Sequence, residues 1–262
     1  MSILESIVLG LIQGLTEFIP ISSSGHLVLA QYFLSGASDH LFLEWINIGT
    51  MLALVVFFWQ RILTILNDVV VRRNFRLARN ILLTSIPAGA VGYIAASTIE
   101  DNPFFGSIVV VIVMALVVGV IMIVLERLPK ASTIKNGEAL TIPRALIIGL
   151  AQMVALIPGT SRSGSTIIAG RLVGLSSKEA AEYSFLASLP IMAGVTLKVA
   201  LKDHAYLMAH LDTLIIGNLV AFISGLIAVR FLMRYLAQHN LVVFGWYRVG
   251  LAVVLTIILL IQ

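Results

Sequence analysis

Apolar runs at roughly 44–66, 78–97, 104–126, 180–200, 211–235 and 241–261 are each long enough to cross a bilayer, which takes about 20 predominantly apolar residues. Two further apolar stretches, 3–19 and 141–157, fall short. Each runs directly into a compact polar knot, PISSSGH at 20–26 and PGTSRSGST at 158–166. The apolar pieces that follow, 27–35 and 165–174, are too brief to cross. Irregular polar backbone at membrane depth is tolerated only where protein buries it or where it lines a wet cavity. The pattern therefore predicts an all-α polytopic membrane protein: six transmembrane helices plus two re-entrant helical hairpins, 3–35 and 141–174, whose tips are the knots.

The tips are alike. GLIQGLTEFIPISSSGH (10–26) lies over GLAQMVALIPGTSRSGS (149–165) at a constant offset of 139. Gly10 then meets Gly149, Gln13 meets Gln152, Ser22 meets Ser161, Ser23 meets Arg162, Ser24 meets Ser163 and Gly25 meets Gly164. This predicts one membrane domain, 1–262, made of internal repeats 1–132 and 139–262. Loop charge orients them. Arg61, Arg72, Arg73, Arg76 and Arg79 crowd one connection, Arg127, Lys130, Lys135 and Arg144 a second, and Arg230 and Arg234 a third. By the positive-inside rule these three are cytoplasmic, which puts both termini outside. An odd number of spans then separates equivalent points, so the second repeat is inverted and the tips meet near mid-membrane.

Composition agrees with this class and narrows the chemistry. Of 262 residues, 59% are apolar and 11% charged, with a mean hydropathy of +1.04; soluble domains carry about 25% charged residues. The excess of 17 Lys+Arg over 13 Asp+Glu is small and forms no basic stripe, so nucleic acid is not an expected partner. With no cysteine, disulfides and thiol catalysis are excluded. The N-terminal MSILESIVLG has Glu5 and no basic region, which argues against a cleaved signal peptide.

The knots hold the candidate chemistry. Re-entrant tips offer unpaired helix-end N–H groups and a positive dipole end, an arrangement suited to anions. Gly159 and Gly164 permit close ligand approach, Ser161, Ser163, Ser165 and Thr166 supply hydroxyls, and Arg162 supplies a planar charged fork that matches phosphate oxygens. A Ser/Gly-rich turn with a snorkelling arginine is the plainer reading, disfavoured by the apolar segments on both sides of Arg162. Glu17 and Gln13, four residues apart, share a helix face. A carboxylate there needs a metal ion, a proton or an arginine. His26 is the histidine that stands inside a knot, beside Ser22, Ser23 and Ser24. Arg248 lies well inside the last span with no partner that the pattern names.

A carboxylate, a histidine, a serine cluster and an arginine-bearing cradle suit phosphoryl transfer from a lipid-borne phosphate. No Walker A loop, HExxH site or GxSxG elbow is present. The membrane acid phosphatases with an SGH…SRx5H pattern are excluded, because Ile168 stands where their histidine would.

QGLTEFIPISSSGH and PGTSRSGST resemble the two signature motifs, [E/Q]xxxE followed by SSSGH and PGxSRSxxT, of the bacterial undecaprenyl pyrophosphate phosphatase family of the bacitracin-resistance type. NIGTMLALVVFFWQRI and FLASLPIMAG resemble other shared stretches, so the likeness runs over essentially the whole chain. The resemblance implies hydrolysis of a C55 isoprenyl pyrophosphate to the monophosphate carrier of cell-wall synthesis in the bacterial cytoplasmic membrane, assisted by a divalent cation, Mg²⁺ or Ca²⁺. Catalytic roles are expected for Glu17, Ser23, His26 and Arg162, substrate binding for Gln13, Ser22, Ser24, Ser161, Ser163 and Thr166, and metal binding for Glu17. Many relatives carry glutamate at the position of Gln13, a departure that weakens any scheme needing two carboxylates. Whether Ser23, His26 or water attacks phosphorus stays open at this point. The expected partners are the lipid substrate and the membrane, with a homodimer allowed for. The competing reading is a secondary transporter or lipid flippase, since inverted repeats with broken helices also build those.

Overall fold

The computed structural model describes residues 1–31, 34, 39–95, 98, 99, 102–128 and 132–261. Outside the described residues lie Tyr32, Phe33 and Ser35 of the first predicted hairpin, Ala96 and Ser97 at the end of the predicted 78–97 span, Lys130 of one basic connection, and Gln262. The described elements are helices: α1 (Ile3–Phe18), α2 (Ser23–Gln31), α3 (His40–Phe57), α4 (Trp59–Val70), α5 (Arg76–Ile94), α6 (Pro103–Gly106), α7 (Ile108–Leu125), α8 (Ile142–Val154), α9 (Arg162–Leu172), α10 (Ser177–Lys202), α11 (His204–Ala209), α12 (Leu211–Gln238) and α13 (Val242–Ile261). A 3₁₀ turn, Gly137–Ala139, precedes α8. Among the described residues, five helices are long and apolar enough to cross a membrane: α3, α7, α10, α12 and α13.

Two differences from the sequence pattern have plain physical causes. The 44–66 run is not one span. Its first helix ends at Phe57, Phe58 turns (φ −96°, ψ 16°), and α4 continues with no buried residue. Trp59, Leu63, Leu66 and Val70 are exposed along α4, so its apolar positions cover one face instead of the whole circumference. Helix α5 has spanning length but is less apolar than the five, since it buries Asn80, Thr84 and Ser85 and contains Pro87. Those polar groups are satisfied. Asn80 Nδ2 donates to the carbonyls of Gly137 (3.0 Å) and Leu140 (2.9 Å), and Thr84 Oγ1 to Ala145 O (2.9 Å).

The core is built on α12 and α10. Helix α12 packs on α1 and α3, α13 on α7, and α5 on α8, while α10 lies against α3, α5 and α9. Without a hydrophobic drive between helices in lipid, close backbone approach decides such contacts, and small residues permit it. Gly14 of α1 shows this. A Cβ there would stand 2.0 Å from Ser224 Oγ and 2.5 Å from Ala221 O of α12. The short pairs α1/α2 and α8/α9 each pack on themselves across the turns at 19–22 and 155–161. Helices α1 and α8 start 139 residues apart, as do α2 and α9.

Candidate functional site

The two knots are not loops followed by helices. The return helices begin inside them, at Ser23 and Arg162, so SSGH and RSGST form first helical turns. Each turn hinges on a serine in the left-handed region, Ser22 at φ 74° and Ser161 at φ 73°. Few non-glycine residues adopt that conformation, at a cost of about 1–3 kcal/mol. The same local bonds hold both. Ser22 Oγ accepts from Gly25 N (3.3 Å) and Ser161 Oγ from Gly164 N (3.1 Å), each capping its helix. Ser22 and Ser24 hydroxyls lie 3.0 Å apart, and those of Ser161 and Ser163 3.2 Å. The first-turn N–H groups of Ser23, Ser24, Arg162 and Ser163 find no acceptor among the described residues. They are the orphan donors that helix N-termini present to anions.

Glu17 is the centre of the polar cluster. It sits in the last turn of α1, and its carboxylate accepts from three directions. Arg162 Nη2 donates to Oε1 at 2.5 Å, while Ser23 Oγ (2.8 Å) and Gln13 Nε2 (3.0 Å) donate to Oε2. The Glu17 and Arg162 side chains are 13% and 21% exposed, so the pair is sheltered but reachable. Beyond Glu17, Arg162 reaches only the Met192 sulfur (3.5 Å) among the described residues, which leaves Nε and Nη1 for a ligand. The tips also touch directly, Gly159 N donating to Ser24 Oγ at 3.2 Å.

The predicted site residues divide in two. Gln13, Glu17, Ser23 and Arg162 come together as one bonded group, with Ser24 exposed beside it and Ser163 Oγ 3.5 Å from the Glu17 carbonyl. Ser22, Ser161 and Thr166 turn inward. Their hydroxyls satisfy helix starts or, for Thr166, the Arg162 carbonyl (2.8 Å) and Ser184 Oγ (2.5 Å); Thr166 is 1% exposed. In this structure those bonds hold the turns in shape, and Ser163, 3% exposed, is as buried as these three. His26 lies one turn beyond Ser22, with Nδ1 2.8 Å from the Ser22 carbonyl and Nε2 2.8 Å from Tyr247 Oη. Its ring stacks on Tyr247 at 5.7 Å.

Sequence reasoning missed Asn47, Tyr247 and the surroundings of Arg248. Asn47 Oδ1 accepts from Gln13 Nε2 at 2.6 Å and so links α3 to the cluster. The sole sequence pointer to Tyr247 was its neighbour Arg248, an intramembrane charge in want of a partner. Arg248 is fully buried and donates to backbone: Gly159 O (2.5 Å), Met114 O (3.2 Å), Ala115 O (3.4 Å) and Pro20 O (3.4 Å).

A multi-pass α-helical membrane protein that gathers a carboxylate, an arginine and two helix starts in one sheltered cluster belongs to the class that handles anionic groups at the bilayer. The family model described as bacitracin resistance protein BacA matches residues 6–254. The chain belongs to that family. It is 38% identical over 256 residues to the undecaprenyl-diphosphatase of Nitrosomonas europaea, covering 96% of this chain and 93% of that one. It is 37% identical over 262 residues to undecaprenyl-diphosphatase 1 of Clostridioides difficile, covering 97% and 95%. The undecaprenyl-diphosphatase of Nitrosospira multiformis is also 37% identical over 262 residues.

Proposed function

We propose that this chain hydrolyses undecaprenyl diphosphate to the monophosphate and inorganic phosphate, recycling the carrier lipid of cell-wall synthesis in the bacterial cytoplasmic membrane. The observation that carries the reading is the Glu17 carboxylate, bonded at once to Arg162 and to Ser23. A diphosphate entering this cluster takes Nε and Nη1 of Arg162 and the orphan N–H groups of the two helix starts. Drawn toward phosphate, Arg162 loosens its hold on Glu17 and leaves that carboxylate oxygen open as an acceptor. Ser23 already donates to Glu17, so its proton has a destination.

The Ser23 oxygen then forms a bond to the terminal phosphorus while the bond to the bridging oxygen breaks. The proton passes to Glu17 and from there to the departing polyprenyl monophosphate, which leaves the carboxylate ionised again. Water next attacks the phosphoserine and gives a proton to Glu17; as the bond from Ser23 Oγ to phosphorus breaks, Glu17 returns that proton to the Ser23 oxygen and inorganic phosphate is released. Ser23 is preferred over His26 as nucleophile because both His26 nitrogens are engaged, by the Ser22 carbonyl and Tyr247. His26 is left to support proton movement at the rim.

Among the described residues no group of three or more His, Cys, Asp or Glu comes together. Glu17 is the residue that would hold Mg²⁺ or Ca²⁺ if one binds, since hard cations commonly use one or two carboxylates alongside substrate phosphates. Such an ion would neutralise charge that develops on the leaving monophosphate.

For the architecture we infer six spans, with α5 as the sixth, and two re-entrant hairpins formed by α1/α2 and α8/α9. The repeats are read as inverted and both termini as external. Support comes from the matched helix starts, from the paired left-handed serines, and from packing in which α1 on α12 has its counterpart in α8 on α5.

The deciding experiment is phosphate release from C55 diphosphate by purified protein in detergent, beside Arg162→Ala and Glu17→Ala. Detergent removes the two compartments a transporter needs. Release by the wild type with loss in both variants supports the phosphatase; no release favours the transporter.

A further inference from the structure

Arg248 stands in the second turn of α13, 0% exposed, and no carboxylate pairs with it among the described residues. A charge at membrane depth is expensive and marks function more often than packing. Its environment is unusual in kind. Every hydrogen bond it makes among the described residues goes to a backbone carbonyl, and those carbonyls come from three separate segments. Met114 and Ala115 belong to α7. Pro20 belongs to the turn after α1, and Gly159 to the turn after α8. Pro20 and Gly159 are 139 positions apart, the offset that relates the two knots.

We propose that Arg248 is a positioning residue for the hydrolysis, fixing the register between the turn that carries Glu17 and Ser23 and the turn that carries Arg162. The inference rests on the phosphatase reading above. Carbonyls just past a helix end lack intrahelical partners and must be satisfied when buried. A guanidinium alone among side chains carries five N–H donors in a rigid planar fork, enough for four acceptors in several directions. Gly159 accepts from Arg248 through its carbonyl and donates to Ser24 through its N–H, so both its flanking peptide groups bridge the tips. Its φ of 85° and the Val111 carbonyl, 2.6 Å from where a Cβ would stand, leave room for no side chain there, so the backbone of this turn packs directly on α7. The Glu17–Arg162 bond spans these same two turns, so its length follows from how Arg248 holds them. Arg248 touches no substrate atom in this scheme; it acts through the turns.

The test is a double-mutant cycle on the full chain in detergent, with C55 diphosphate as substrate. Arg248→Lys keeps the charge but offers three donors from one point. Size-exclusion chromatography and thermal unfolding check that it is folded. Its kcat should fall on the order of 10²-fold, the usual effect of misplacing reacting groups by about 1 Å, with KM changed far less. In an Arg162→Lys background the same change should cost much less, because the contact whose register Arg248 sets is already lost. A folded Arg248→Lys enzyme with wild-type kcat overturns the proposal. So does an equal kcat loss in both backgrounds, which marks a general structural role, and so does failure of both Arg248→Lys and Arg248→Met to fold. A wild type that releases no phosphate rejects the phosphatase reading instead, whatever the Arg248 variants do.

Discussion

Replacing Glu17 by glutamine changes one oxygen into an amide and removes one negative charge at the point where three donors converge. The carboxylate accepts from Arg162 at 2.5 Å, from Ser23 at 2.8 Å and from Gln13 at 3.0 Å. Glutamine offers a single acceptor oxygen, so at least one donor must face the new NH₂ group. A hydrogen bond to a charged group contributes about 1.5–3 kcal/mol. Stranding the partner of a buried pair costs about 3–5 kcal/mol, a figure to be cut here because both side chains are partly exposed, at 13% and 21%. The fold should therefore survive, with a lowered melting temperature. Activity should not. Losing a positioned proton acceptor costs about 10²–10⁴ in rate. Gln13→Ala removes one charge-assisted bond and should cost about 10–100-fold, at 1.4 kcal/mol per decade. The assay is phosphate release from C55 diphosphate as kcat and KM, with thermal unfolding on the same samples. A folded Glu17→Gln enzyme within tenfold of wild-type kcat, or one more active than Gln13→Ala, refutes the reasoning. Cation titration of Glu17→Asp adds a check on the metal: identical cation dependence in wild type and variant removes the ion from Glu17.

Arg162→Lys should be nearly as damaging as Arg162→Ala, because lysine keeps the charge but cannot reach Glu17 and two phosphate oxygens as a fork; near-normal kcat/KM would show that charge alone suffices. Gly14→Ala should destabilise by about 1–3 kcal/mol through overpacking, since its Cβ would fall 2.5 Å from the Ala221 carbonyl, and unchanged thermal unfolding would put α1 elsewhere on α12. For orientation, single cysteines at Ser2 and Gln262 should react with a membrane-impermeant maleimide on intact cells, while Asn74 and Asn136 stay protected until permeabilisation. The chain has no cysteine of its own to confuse the result. Labelling at Ser2 without labelling at Gln262 would demand an odd number of crossings and break the inverted repeat.

What could be read from the sequence was whatever a pattern of side chains can express. The two knots, their common offset and the need of Glu17 for a partner were legible because each is a polar group where lipid-facing sequence forbids one; that the partner is Arg162 was not. The break at Phe58 was not. FFWQ continues an apolar run without interruption, and the change from an all-round apolar helix to the one-sided pattern of Trp59, Leu63, Leu66 and Val70 shows only when exposure is known. Arg248 was visible as a charge without a partner, but its partners are backbone carbonyls, which every residue possesses and none advertises. The capping roles of Ser22 and Ser161 were hidden for a similar reason: a hydroxyl that caps a helix and one that does not are the same letter.

The turns at Ser22 and Ser161 match closely enough in backbone to make their chemical asymmetry informative. Position 156 answers to Glu17 under the 139 offset and holds leucine; Ser23 answers to Arg162. One half thus supplies the carboxylate and the hydroxyl, the other the guanidinium. Both charges also sit against their helix dipoles, Glu17 in the last turn of α1 and Arg162 at the first residue of α9. Each placement costs about 0.3–1 kcal/mol. A pair that opposes two dipoles, between two serines held in left-handed backbone, is poorly explained by stability and well explained by a need for anion chemistry at that point. If the asymmetry is functional, the carboxylate cannot be moved to its symmetry position. Glu17→Leu with Leu156→Glu should be as inactive as Glu17→Leu alone, because Ser23 donates to a carboxylate six residues before it in its own turn, not across the tips. Phosphate release by the folded double variant above that of Glu17→Leu would show the two halves to be interchangeable and would remove Ser23–Glu17 as the reacting pair.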